Sequence, residues 1–243
     1  MTTDRVHYSL DGRIGIIRLD DGKANAMQGE LFDQLGKALD RAEADKVSAL
    51  IITGREKFFS GGLDLKALPM LKKDELTKTL AAFPVLMQRV FLFPAPVICA
   101  SNGHALAGGM VLYLMGDVRI AVDNDAHKYG LNETAIGLPL PSWVVATCAQ
   151  TIPHRYHMDM MVHARVMPPK ETHRREVTQE LVASADDLMP KAMEKAKELS
   201  KLIPAAYIAT KLRLRKPPVD IANARAAEEV SGFLSTGPFA NLK

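Results

Sequence analysis

The chain is short of the residues that mark several large classes of protein. It has two cysteines, one tryptophan and 6% aromatic residues among its 243. Cys99 and Cys148 sit inside apolar runs without CxxC spacing, which argues against a disulfide framework and predicts buried, reduced thiols. No apolar run approaches the roughly 20 residues needed to span a bilayer. Charge of one sign is also scarce: the formal net charge is +3, with Lys and Arg scattered, so no basic footprint for nucleic acid is present. Met1 to Tyr8 is polar and runs directly into a strand pattern, so neither a signal peptide nor an Arg-rich transit peptide is expected. Asn241-Leu242-Lys243 is not a peroxisomal address, and the expected compartment is the cytoplasm. His154, His157, His163 and His173 follow no recognised ligand spacing, and no metal site is expected.

What is present is an ordinary globular composition, 47% hydrophobic and 24% charged, in a length that suits one large domain. Val6 to Leu10 and Ile14 to Leu19 read as strands around the turn dipeptide Asp11-Gly12, a hairpin. Leu31, Leu35, Ala38, Leu39 and Ala42 recur at helical spacing within Gln28 to Ala44, before the β-branched run Ala49 to Thr53. A second helical pattern covers Leu76 to Phe93, with Pro84 expected to kink or divide it. Strands at Val97 to Ala100 and Val118 to Val122 complete an alternation that predicts an α/β fold with a largely parallel sheet. Beyond about Pro141 the strands are expected to stop. Helices are expected over Asp186 to Leu202, Ala205 to Arg215 and Val219 to Leu234, punctuated by Pro204, Pro217 and Pro218, with self-association covering their apolar stripes.

Three short stretches carry the chemistry. Ser60-Gly61-Gly62-Leu63-Asp64-Leu65 and Asn102 to Gly109 are glycine clusters, each following an apolar strand-like run. Glycine before Leu63 allows a tight turn that leaves the Leu63 N–H facing a ligand. Gly108 opens a helical run from Met110 to Met115, and the first amides of a helix lack internal partners and carry partial positive charge. Two such donors on one carbonyl oxygen would hold an oxyanion. The third stretch, Gly130-Leu131-Asn132-Glu133-Thr134, brings a carboxylate suited to proton transfer.

In order and flanking residues these stretches resemble the crotonase (enoyl-CoA hydratase/isomerase) superfamily over nearly the entire chain, most strongly from Phe58 to Pro139. The resemblance implies a crotonase-like core over residues 1–198 and a helical region over 199–243 that mediates a homotrimer or dimer of trimers. It implies that the Leu63 and Gly108 amides polarise the thioester carbonyl of an acyl-CoA, with no cofactor beyond the coenzyme A of the substrate. Lys23, Asn25 and Ala26 resemble the early loop that lines the coenzyme, Lys66 could meet a phosphate, and Gly61, Asp64 and Leu65 belong to the first oxyanion loop. Hydration in this family generally uses two glutamates. One position falls here on Val111, and the other matches Glu133 in a segment that looks particularly like the Δ3,Δ2-enoyl-CoA isomerases. A single carboxylate can move a proton from C2 to C4, so double-bond isomerisation is expected. Hydration, thioester hydrolysis and a non-catalytic acyl-CoA-binding paralogue are the alternatives. Trp143 is expected in the wall of the acyl pocket or in the core, His104 as a support of its turn, and Asp117 and Arg119 in structural ion pairs or caps. The charged stretch Ala164 to Glu180 departs from the family pattern.

Overall fold

The computed structural model describes residues 4–224 and Glu229. Strands β1 (Val6–Asp11) and β2 (Ile14–Leu19) pair antiparallel, with Asp11 opposite Ile14. That register leaves Gly12 and Arg13 as the loop. Only Gly12, at φ 60°, takes the left-handed backbone that a two-residue hairpin needs, while Asp11 stays in the strand. The chain continues through β3 (Ala26–Met27), α1 (Gly29–Ala44), β4 (Ala49–Thr53), β5 (Lys57–Ser60) and β6 (Gly62–Leu63). Next come α2 (Lys73–Phe91), β7 (Val97–Ser101), β8 (Gly103–Leu106), α3 (Gly108–Leu114), β9 (Val118–Val122) and β10 (Tyr129–Gly130). The last elements are α4 (Ser142–Cys148), α5 (Pro169–Arg174), β11 (Glu180–Val182), α6 (Ala185–Leu199) and α7 (Pro204–Asn223). None of these helices is long and apolar enough to cross a membrane.

Six strands form the main sheet in the order β1-β2-β4-β7-β9-β11, parallel throughout except for the opening hairpin. Both of its faces are covered, which is why β4 and β7 are continuous apolar runs. Their residues nevertheless alternate. Leu50, Ile52, Val97 and Cys99 join the large core, together with the stripe Leu31, Phe32, Leu35, Ala38, Leu39 and Ala42 of α1. Ala49, Ile51, Ile98 and Ala100 pack with Leu188, Ala192 and Ala196 of α6 on the other side. A second, three-stranded parallel sheet, β10-β8-β5, and the short pair β3-β6 sit where the glycine clusters lie.

Three expectations are corrected. Strands do not stop at Pro141: β11 pairs parallel with β9, Glu180 opposite Ile120, as the edge of the main sheet. It is three residues long and lies at the end of the charged stretch from Ala164 to Glu180, so no apolar run announces it. Pro84 does not divide α2, which is continuous across it while Phe83, Leu86 and Met87 stay buried. Pro217 and Pro218 likewise lie inside one helix, α7. The carbonyls they leave without a partner belong to Arg213 and Leu214, both exposed and open to water. The opposite side of α7, Lys211, Arg215, Val219 and Ala222, is buried, and the helix continues past the two prolines. Of the expected helix Val219 to Leu234, the part after Ala224 lies outside the described residues apart from Glu229.

The charged residues after Ala164 mostly pair with their neighbours. Arg175 bonds Asp159 and lies 3.1 Å from Glu171, and Arg155 bonds Glu176. Asp117 meets Lys211 and Arg215, each at 2.7 Å. Arg119 instead donates to the carbonyls of Val177 and Gly116.

Candidate active site

Strand register brings the three chemical segments together. Ala26 and Met27 of β3 lie opposite Gly62 and Leu63 of β6, and Asp64 N–H donates to Met27 O at 2.9 Å. Successive amides of an extended strand point to opposite sides, so the Leu63 N–H is turned away from β3. In the neighbouring sheet, β5 pairs with β8 and β8 with β10, Gly130 opposite Leu106. Ala107 N–H then donates to Gly130 O at 2.9 Å, which fixes the second glycine cluster beside the chain leading to Glu133.

At Gly109 and Gly62 the two loops approach so closely that a side chain would not fit. A β-carbon on Gly109 would lie 2.0 Å from Ser60 O. One on Gly62, where φ is +85°, would lie 2.8 Å from Gly108 N, and one on Gly108 would lie 3.5 Å from Leu63 N. The Leu63 and Gly108 amides therefore flank one small space. Gly108 is the first residue of α3, so its N–H has no partner within the helix. Ala107, just before it, has φ 47° and ψ −126°, a conformation that costs a non-glycine residue on the order of 1–3 kcal/mol. Nothing in the sequence announces this strain.

The amide pair opens onto a cavity of about 240 Å³. Gly61, Leu63, Ala107, Gly108, Asn132 and Glu133 form one part of its wall. Leu80, Phe83, Pro84, Leu138, Trp143 and Val144 are among the apolar residues of the rest. Glu133 begins a tight turn in which its carbonyl accepts from Ile136 N–H and Leu138 N–H, each at 3.0 Å. The residue is 9% exposed, and Oε2 is buried with no hydrogen-bond partner among the described residues. Burial, only partly offset by a hydrogen bond from its own backbone, pushes its carboxyl up from 4.5 to about 7. Asn132 Oδ1 is also buried without a partner.

Of the residues singled out from the sequence, Glu133, Leu63, Gly108, Gly61 and Leu65 line this cavity, as does Trp143. Lys23, Asn25, Ala26, Asp64 and Lys66 do not. Lys23 and Lys66 are exposed. Asn25 is a buried strut: its amide donates to Leu19 O, Phe58 O and Phe59 O, and its oxygen accepts from Asp21 N–H. Asp64 turns its carboxylate onto the amides of Lys66 and Ala67. Val111 is fully buried in the large core and lies outside the cavity wall. His104 accepts Lys128 N–H at 3.0 Å and packs at a tilt against Phe58, and so supports its own turn. Sequence reasoning missed Phe83, Pro84, Asn132 and Glu229. Phe83 belongs to a visible helical stripe, whereas Glu229 reaches the cavity from far along the chain.

The Leu63 and Gly108 amides beside a buried carboxyl group, held by a largely parallel main sheet and a smaller parallel one, sit in an α/β crotonase-like fold. Residues 10–237 match the family described as Enoyl-CoA hydratase/isomerase. The chain belongs to that family and is an enzyme with its general chemistry. A probable enoyl-CoA hydratase of Bacillus subtilis is 36% identical over 135 residues, 55% of this chain and 52% of that protein, so the match spans about half that relative's length. Carnitinyl-CoA dehydratase of Escherichia coli is 32% identical over 211 residues, 86% of this chain and 79% of that one. The crystal structure of human mitochondrial Δ3-Δ2-enoyl-CoA isomerase superposes with a TM-score of 0.90 at 26% identity, covering 96% of this chain and 91% of that one.

Proposed function

We propose that this enzyme shifts the double bond of a 3-enoyl-CoA to the 2-position, with Glu133 as the one acid/base. Ionised Glu133 takes the proton from C2, and the electron pair moves into the thioester carbonyl to give a dienolate. The Leu63 and Gly108 amides hold the oxygen that gains charge, an arrangement in which each donor is worth about 3 kcal/mol of barrier. Protonated Glu133 then returns the proton at C4, leaving the double bond between C2 and C3 in conjugation with the carbonyl. The observation that carries this reading is a single buried carboxyl group beside the amide pair, raised to about 7 and so able to serve as base and acid in one turnover.

A second reading is hydration or dehydration, favoured by the activities of the two relatives from Bacillus subtilis and Escherichia coli. It would have to manage without the second glutamate, since Val111 occupies that place. For the coenzyme, exposed Lys23 and Lys66 are proposed to meet its phosphates. Ala26, Gly61, Asp64 and Leu65 shape the channel from which pantetheine enters, and Asn25 braces the early loop from beneath. The protein is proposed to work in the cytoplasm as a homotrimer or dimer of trimers built through residues 199–243. The exposed apolar side chains of Ile203, Leu214 and Ile221 support that assembly.

Product analysis tests the reaction. A 3-enoyl-CoA should be converted to the conjugated 2-enoyl-CoA with little 3-hydroxyacyl-CoA formed. Glu133→Gln should abolish turnover and spare binding, and Gly108→Ala, whose methyl group enters the space between the amides, should lower kcat about a hundredfold or more. Rapid formation of 3-hydroxyacyl-CoA from 2-enoyl-CoA as the main reaction would establish the second reading instead.

A further inference from the structure

The chain that carries Glu133 is backed on both sides as far as Gly130. On one side Ala105 N–H donates to Lys128 O and Ala107 N–H to Gly130 O, each at 2.9 Å. On the other, Tyr129 and Met167 exchange two backbone hydrogen bonds of 2.9 Å in an antiparallel bridge. The second approach is close: a β-carbon on Gly130 would lie 2.7 Å from Arg165 O. Past that point the support changes. Thr134, Ala135, Ile136 and Gly137 are exposed, and the backbone bonds of their turn run within it, from Ile136, Gly137 and Leu138 N–H to the carbonyls of Glu133 and Thr134. Among the described residues, one hydrogen bond ties this turn to another part of the chain. The Thr134 hydroxyl donates to Val162 O at 2.9 Å.

Val162 ends a π-helical turn, Met158–Val162, whose wider pitch shows in His163 N–H reaching back to Met158 O at 2.9 Å. Carbonyls at the end of a helix lack partners within it, which leaves Val162 O to accept the hydroxyl. Ala164 then takes φ 53°, a left-handed conformation rare for a residue with a β-carbon, before the chain runs back beside Tyr129 and Gly130. From this arrangement we propose that Thr134 is a positioning residue: anchored on Val162 O, it holds the turn so that the Glu133 carboxyl reaches both carbons between which the proton moves. The proposal rests on the reading of Glu133 as the acid/base. An exposed hydrogen bond adds little to stability, because its partners would otherwise bond water, so its effect is on position. Position matters here, since a displacement of about 1 Å can cost on the order of a hundredfold in rate. The charged stretch that opens at Ala164 thereby supports the site without bordering the cavity.

Steady-state kinetics of the full-length protein with 3-enoyl-CoA tests it. Thr134→Val keeps the branched shape and removes the hydroxyl. It should lower kcat about tenfold or more while KM stays within about twofold, because the thioester is still held at Leu63 and Gly108. Thr134→Ser, which restores the hydroxyl, should recover most of that loss. In Thr134→Val the pH at which kcat/KM reaches half its plateau should also fall, since a loosened turn admits water to the carboxyl and eases its ionisation. Wild-type kcat and pH profile in Thr134→Val overturn the proposal. So does a Thr134→Ser enzyme as impaired as Thr134→Val, or a raised KM at unchanged kcat. Thr134→Ala set against Thr134→Ser gives the same comparison should the valine variant fail to fold. Hydration of 2-enoyl-CoA can serve as the assay with the same expectations, because Glu133 acts in both readings. Full activity of Glu133→Gln would sink the acid/base reading itself, a result distinct from any given by the Thr134 variants.

Discussion

Glu133 combines an unpartnered Oε2 with a carboxyl pushed up to about 7, and both follow from its apolar walls. As a base it must be ionised in the free enzyme. On this reading kcat/KM for 3-enoyl-CoA rises with pH and levels off above about 7, so that at pH 6 it is about tenfold below the plateau. A pH profile with no limb near neutrality would remove Glu133 from the role. The same group makes a stability prediction. Between its ordinary 4.5 and about 7 the folded protein keeps a proton that the unfolded chain has released, so its contribution to stability is lost as pH rises through about 7. Glu133→Gln does not titrate. Relative to wild type it should gain up to about 3 kcal/mol between pH 4 and pH 8, read from urea unfolding at the two values. Glu133 itself was legible as a residue, because the stretch from Gly130 to Thr134 singles it out. Its burial was not, since the walls come from α2, α4 and the turn at Leu138.

At the scale of elements, α7 shows most clearly where local sequence and tertiary structure disagree. Two adjacent prolines read as a stop, yet the helix continues because its inner face is anchored on both sides of them. Lys211 donates to Phe93 O, Ala95 O and Asp117, and Arg215 donates to Phe91 O and lies over the Phe91 ring at 4.2 Å. Burial, outweighing the pull of Asp117, brings the Lys211 ammonium down to about 8. Asp117 is the shared counter-ion, and it also accepts Val97 N–H. Asp117→Asn should therefore strand two buried cations and cost about 3–5 kcal/mol in urea unfolding. Lys216→Ala, which removes an exposed pair with Asp220, should cost well under 1 kcal/mol. Equal effects of the two substitutions would show that α7 is not anchored in this way. The hairpin was readable from its turn dipeptide and α1 from apolar residues at helical spacing, while β4, β7 and β9 were readable as short continuous apolar runs. Strand β11 was not, because three residues at a sheet edge are too few for any period to register.

For the whole molecule, Ile203 just before α7 is 74% exposed, and Leu214 and Ile221 within the helix are 65% and 72% exposed. If these residues meet neighbouring copies, light scattering after size exclusion should give the mass of a trimer or hexamer. Leu214→Glu together with Ile221→Lys should then lower that mass toward the monomer. A monomeric wild type would end the assembly proposal. The charged stretch after Ala164, which departed from the family pattern, is largely accounted for within the chain. Arg175 pairs there with both Asp159 and Glu171, and none of the three borders the cavity.

The alternation of strands and helices, the two glycine clusters and the carboxylate between Asn132 and Thr134 could all be read along the chain, because each is a local pattern of residue types. That the Leu63 and Gly108 amides share one space, that Glu133 is sealed among apolar walls and that Glu229 reaches the same cavity emerge only from the folded chain. Backbone amides have no side-chain signature, and both desolvation and proximity are set by segments far apart in the chain that meet only when the sheets are assembled.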